Sequence, residues 1–133
     1  MTPAIRRSGG GTTMSDSQST SWRPEALARK WALIPAGIDV LVTHGPPRGV
    51  GDWSGDMVRA GCEDLSAAVR PVRPLLHLFG HIHQDGGCWR HDDICFANVT
   101  TWEGERGATV LDIDVRSRRV VEVRVPPADR RAS

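Results

Sequence analysis

The stretch "LFGHIHQDGG", residues 78–87, ends an apolar run with two histidines one residue apart. On an extended segment, His81 and His83 project to the same side and stand about 7 Å apart, which is two strand rises. Each imidazole then reaches to about 2.1 Å from a metal ion of its own, and two ions about 3.5–4 Å apart fit between the rings. The spacing predicts metal ligation, and two solvated histidines at a strand end are the alternative.

A third histidine follows the segment "GIDVLV", residues 37–42, a short β-branched run typical of a strand buried on both faces. Gly45 and two prolines end this strand and leave His44 at its carboxyl end. Sites in open α/β sheets form beyond the carboxyl ends of strands. We therefore expect His44 at the same sheet edge as His81 and His83, although a hydrogen-bonded structural role fits His44 alone equally well.

The elements that must position these histidines read as a βαβ unit. The segment "MVRAGCEDLSAAVR" carries one apolar stripe at helical spacing, and Pro71 ends it. This stripe contains Val58, Cys62, Leu65 and Val69. The helix stands between two apolar strands, which predicts a parallel crossover. An earlier helix begins at Pro24.

The C-terminal third reads as antiparallel strands. Leu111, Ile113 and Val115 alternate with aspartates, and Val121, Val123 and Val125 alternate with Glu122 and Arg124. We expect a hairpin that turns at residues 116–119 and has one solvent-exposed face. Together with the βαβ unit, this predicts an α/β fold with a mixed sheet.

Composition bounds the remaining alternatives. The 133 residues have a formal net charge of +1, which gives no electrostatic case for nucleic-acid or membrane partners. Three cysteines imply no complete disulfide framework, and no signal peptide or spanning segment is recognisable. We expect a cytoplasmic chain with a disordered segment 1–21, a partial domain 22–126 and a tail 127–133.

The segments "IPAGIDVLVTHGPPRGVGD", "GCEDLSAAVRPVRPLLHLFGHIHQDGG" and "FANVT" resemble the second half of a calcineurin-like metallophosphoesterase, closest to the small metallophosphoesterase-domain proteins. The resemblance covers about residues 31–101. It implies the C-terminal half of a four-layer α/β/β/α sandwich that hydrolyses phosphate mono- or diesters. It also implies a dinuclear centre of divalent ions such as Mn, Fe or Zn, in which His44 and His81 bind the second ion and His83 the first.

The chain departs from this family in its first half. The D-x-H motif, the bridging aspartate and the G-N-H-[DE] motif are absent, and the only asparagine, Asn98, follows "GHIH". The first ion would keep one ligand, His83, and the second would keep two, His44 and His81, whereas zinc ordinarily takes three or four protein ligands. We therefore assign no catalytic residue and expect the chain to be inactive alone. Whether the chain is an enzyme stays open. In one hypothesis, a missing first half would complete a site for a phosphoester substrate. In the alternative, the chain is a non-catalytic remnant or interaction module that self-associates or binds a partner or a single metal.

Other residues give weaker indications. Arg48 lies in the loop after "THGPP" and would contact phosphate, although a solvated arginine fits better. Cys88, His91 and Cys95 have a spacing that a small zinc site could use, against ordinary hairpin positions. We expect His77, on the apolar strand, to be a core histidine with its hydrogen bonds satisfied.

Overall fold

The computed structural model describes residues 5–7, 24–101, 104 and 106–123, the first three by their backbone. The helices are α1 (Pro24–Trp31) and α2 (Glu63–Val72). The strands are β1 (Ile5–Arg7), β2 (Val40–Val42), β3 (Leu76–Phe79), β4 (Gly87–His91), β5 (Ile94–Asn98), β6 (Val110–Asp114) and β7 (Arg119–Val123).

The strands form a five-stranded mixed sheet in the order β1-β2-β3-β5-β4 and a separate hairpin, β6-β7. Strands β1, β2, β3 and β5 are parallel, and β4 runs antiparallel at the edge. The predicted crossover is confirmed, because β2 and β3 pair directly with Leu41 opposite His77 and α2 connects them. Leu41 and Leu76 have no solvent exposure, as expected of central strands covered on both faces.

Apolar side chains cover both faces of this sheet. One core cluster joins the helices to the sheet and includes Trp31, Leu65 and Phe79. The other includes Leu76 and Val120, so the hairpin packs against the opposite face. The structure is thus α/β with a mixed sheet and an antiparallel hairpin, while the four-layer sandwich stays a prediction.

Helix α2 is shorter at its start than the apolar stripe predicted. Val58 lies outside the helix and is 59% exposed, and Cys62 is the N-cap. A Cβ at Gly61 would lie 2.5 Å from the carbonyl oxygen of Pro47. The chain before α2 therefore packs closely against the backbone of Pro47 and does not form a helical turn. Pro71 lies within the last turn, and Arg73 ends the helix in a left-handed conformation with φ 50°.

The hairpin has one solvent-exposed face, as predicted, but the predicted assignment of the β7 valines to the two faces is wrong. In the observed register Leu111 faces Glu122 and Ile113 faces Val120, so these four residues share one face. Val121 and Val123 lie on the other face, where they are 48% and 43% exposed. The run of two adjacent valines allows two alternations, and packing of Val120 against the sheet selects the one that leaves its neighbours outside.

Strand β1 falls within segment 1–21, whose composition predicts disorder. The rest of that segment and the tail 127–133 lie outside the described residues, so the domain boundaries stay predictions. Neither helix of the described chain has the length and apolarity needed to cross a membrane.

Candidate metal-ligand site

The backbone brings two of the predicted ligands to one sheet edge. Beyond the strand ends, the amide of Thr43 donates to the carbonyl of Leu78 at 3.0 Å, and the amide of Gly80 donates to the carbonyl of His44 at 3.1 Å. The β2–β3 pairing therefore continues past Val42 and Phe79. This extension places the residues that follow each strand side by side.

His44 and His81 meet at this edge. Nε2 of His44 lies 3.1 Å from Nδ1 of His81, and the ring centroids are 4.7 Å apart. Two nitrogens bound to one ion at about 2.1 Å each are about 3.0 Å apart at a right angle and about 3.4 Å apart at the tetrahedral angle. The observed separation therefore suits two ligands of a single ion as well as an imidazole–imidazole hydrogen bond.

The predicted extended geometry of residues 81–83 is wrong. Strand β3 ends at Phe79, and the amide of Ile82 donates to the carbonyl of Gly80 at 2.9 Å across His81. With φ 73° at His81, this is a γ-turn of the rare, strained kind. Ile82 is buried, and His83 is exposed at the start of a 3₁₀ turn, His83–Asp85.

The electrostatic environment favours neutral imidazole at His81. Partial burial lowers the pKa of His81, and the neighbouring His44 and His83 lower it further. Neutral imidazole is the form that binds metal ions.

His77 is a core histidine, fully buried on β3, and burial lowers its pKa to about 3. Its Nε2 lies 2.9 Å from the hydroxyl of Thr43, which itself donates to the carbonyl of Gly45 at 2.7 Å. The threonine proton is thus already used, so His77 must be the donor, in its Nε2–H form. Its Nδ1 has no hydrogen-bond partner among the described residues, so the expectation that both ring nitrogens are satisfied fails for that atom.

Asp52 lies in the Gly-rich loop of residues 48–56 and is completely buried. Its carboxylate accepts hydrogen bonds from the amides of Gly49 and Gly61 at 3.0 and 3.1 Å. The guanidinium of Arg59 adds an ion pair at 2.7 Å and lies 4.3 Å from the centre of the Trp53 ring. Asp52 therefore holds the Gly-rich loop closed.

Arg48, the predicted phosphate contact, pairs with an acidic residue in the structure. Its Nε lies 3.5 Å from Glu63, and both side chains are largely exposed. Arg48 lines a groove of about 410 Å³ that runs along α2 to Arg73 and His91. Arg73 is also paired, with Asp93 at 3.5 Å, so acidic partners offset much of the positive charge in this groove.

Asn98 is the residue that sequence reasoning missed. The last residue of β5, it is fully buried, and its side-chain amide donates to the carbonyls of Gly51, Ile82 and Asp85 at 3.1, 2.8 and 2.9 Å. The only available signal was that it is the single asparagine of the chain, next to apolar strand residues. Propensity alone disfavours asparagine in a strand, which points to a side-chain role.

Across the described ranges 24–101 and 106–123, no group of three or more histidine, cysteine or acidic side chains is arranged to hold a metal ion. His44 and His81 form a pair, and His83 stays a predicted ligand.

The alternative zinc site at Cys88, His91 and Cys95 is wrong. The two cysteines lie on one face of the β4–β5 ladder, and His91 lies on the other. Burial, with Glu122 nearby, raises the pKa of Cys88 to about 11, so its thiol is protonated at neutral pH.

The fold and the histidine pair define an α/β protein with a candidate ligand pair at the carboxyl edge of its parallel strands. No protein-family model matches the chain. It is 46% identical over 80 residues to human metallophosphoesterase domain-containing protein 1, which is 59% of this chain and 24% of that protein. It is 52% identical over 67 residues to a UPF0046 protein of Caenorhabditis elegans, which is 50% of this chain and 17% of that protein.

These relatives support the metallophosphoesterase family for the matched part of the chain, and the name of the human relative indicates a metallophosphoesterase domain. That family implies divalent metal cofactors. The chain spans about a quarter of the length of the human relative.

Proposed function

We propose that this chain supplies the histidine side of a divalent-metal centre that hydrolyses phosphoric mono- or diesters. The observation that carries the proposal is the 3.1 Å separation of Nε2 of His44 and Nδ1 of His81. These are the two histidines that the family resemblance assigns to one ion. In the dinuclear arrangement, His83 binds the other ion, and Mn, Fe and Zn are the candidate metals.

The chemistry that such a centre supplies is activation of water and neutralisation of charge on phosphoryl oxygens. The described residues fit one ion in part, by two nitrogen ligands, and do not fit a two-metal centre, because no carboxylate joins the pair. We propose that the acidic ligands come from a second polypeptide segment or chain and that this chain is inactive alone. We propose Arg48, in the loop after His44, for contact with the phosphate.

A cytoplasmic setting is part of the proposal. Cys62, Cys88 and Cys95 are all free thiols in the structure. Free thiols persist in the reducing environment of the cytoplasm.

A second candidate is a non-catalytic interaction module. The outer face of the hairpin favours it, because Val110, Val121 and Val123 are 40%, 48% and 43% exposed on that face. Binding of a partner or a second copy would cover these valines. Metal-independent association that Val121→Lys abolishes, with no metal uptake by the parent chain, would favour this module over the metal centre.

Metal titration of the purified chain tests the first proposal. Absorbance of bound Co²⁺ in the parent should be lost in His81→Ala and His83→Ala, and the affinity should fall at least about tenfold in His44→Ala, which is about 1.4 kcal/mol. His91→Ala is the matched control, since this exposed histidine lies at the opposite end of the sheet. The parent chain should not hydrolyse a bis-aryl phosphate in manganese above the buffer rate. Equal Co²⁺ affinity in all four variants would refute the ligand assignment.

A further inference from the structure

Asn98 connects the two loops that carry the histidine pair. It pairs with Phe79, where β3 ends before the γ-turn. Its amide nitrogen bonds the carbonyl of Ile82, between His81 and His83, and the carbonyl of Asp85, at the end of the following turn. The same nitrogen bonds the carbonyl of Gly51, in the loop after His44.

The chemistry of the three contacts requires a neutral donor with two hydrogens. A side-chain amide carries two N–H bonds, so two of the carbonyls are served directly and the third shares a proton. The amide oxygen of Asn98 is also used, since it accepts from the amide of Thr100 at 3.2 Å. A carboxylate of the same shape would instead face three carbonyl oxygens with a negative charge and no proton.

The backbone at His81 needs such a restraint. A φ of 73° is unfavourable for any residue with a Cβ, and strained backbone persists only where surrounding contacts fix it. The bond from Asn98 to Ile82 fixes the chain directly after His81. A second hydrogen bond joins the same loops: the carboxylate of Asp85 accepts from the amide of Trp53 at 3.0 Å.

We propose that Asn98 is a positioning residue for the ligand pair: it holds the γ-turn that brings His81 against His44 and sets the direction of His83. This inference rests on the proposed metal-binding function. Asn98 does not contact the metal in this scheme. It acts through the backbone of Ile82, as groups around a metal site fix the orientation of its ligands.

The variant Asn98→Asp tests the proposal, since it keeps the shape of the side chain and removes both protons. The cross-relaxation signal between the imidazole rings of His44 and His81, measured by NMR without metal, should disappear. Co²⁺ affinity should fall by about 10- to 100-fold. The control is Asp52→Asn, the reverse change at a buried residue that closes the Gly-rich loop without bonding residues 81–85. It should keep the ring contact and the affinity.

A folded Asn98→Asp chain that keeps both the ring contact and the parent affinity would overturn the proposal. If Asn98→Asp does not fold, Asn98→Ser decides by the same two measurements. The parent gives a further measurement, because selective ¹⁵N-asparagine labelling reports a single side-chain amide. Its protons should exchange slowly with solvent, and exchange at the rate of an exposed amide would also overturn the proposal. A parent chain that binds no Co²⁺ refutes the proposed function alone, since the ring contact and amide exchange still decide the role of Asn98.

Discussion

Asp52 and Arg59 form an ion pair whose two members differ in burial. The carboxylate is fully buried, while the arginine side chain is 33% exposed and its Nη1 lies 2.7 Å from Oδ1 of Asp52. If the pair is broken, water can hydrate the arginine, but it cannot reach the buried carboxylate. The stability of the loop depends on Asp52 more than on Arg59.

Asp52→Ala should destabilise the chain by about 1–3 kcal/mol, because it removes the acceptor of the Gly49 and Gly61 amides and of the Arg59 guanidinium. Urea denaturation followed by tryptophan fluorescence measures this change. Arg48→Ala is the control, since its pair with Glu63 is exposed and contributes at most about 1 kcal/mol. Equal effects of the two substitutions would contradict the assigned role of Asp52.

Stability should decrease as the pH falls below the pKa of free histidine, because His77 stays neutral in the folded chain. Its pKa is about 3 in the folded chain, against the ordinary histidine value of 6.5. Between these values the unfolded chain binds a proton that the folded chain does not, so unfolding becomes easier by up to about 1.4 kcal/mol per pH unit.

Denaturation at pH 7, 6, 5 and 4 measures this dependence. His77→Gln should remove most of the slope between pH 6.5 and 5, where few carboxylates titrate. Parallel curves for the parent and His77→Gln would show that His77 does not cause the dependence.

Replacing His81 by glycine and by alanine separates backbone strain from metal binding. Both variants lose the imidazole, but only glycine adopts φ 73° without strain. We expect His81→Gly to be more stable than His81→Ala by about 1 kcal/mol, measured by thermal unfolding without metal. At position 83, which lies in a 3₁₀ turn, we expect His83→Ala to be more stable than His83→Gly. Equal stability of His81→Gly and His81→Ala would mean that the γ-turn is not formed.

Gly61→Ala should destabilise the chain by about 1–3 kcal/mol, because the added Cβ meets the backbone of Pro47 and Arg48 within 2.5–2.6 Å. Gly45→Ala is the matched control, since no atom lies within 4 Å of a Cβ there. Thermal unfolding of both variants decides this prediction. A Gly61→Ala chain as stable as the Gly45→Ala chain would contradict the close contact between the loop and the start of α2.

The sequence predicted the parts of the fold that depend on local pattern. The apolar runs around Leu41 and Leu76 indicated adjacent parallel strands, and the rule on carboxyl ends placed His44 near His81. The γ-turn could not be predicted, because tertiary hydrogen bonds to residues distant in sequence hold it. The burial of Asp52 and the three contacts of Asn98 also connect segments far apart in sequence, and no local periodicity encodes them.

The paired valines of the hairpin have a consequence for strand alignment. If β7 slides by one residue, Val121 and Val123 replace Val120 and Glu122 against the sheet, so apolar packing alone does not favour the observed alignment. The turn must then fix the alignment. Oδ1 of Asp114 accepts the amides of Arg116 and Ser117 at 3.0 and 3.2 Å, and these two bonds hold the strands against slippage.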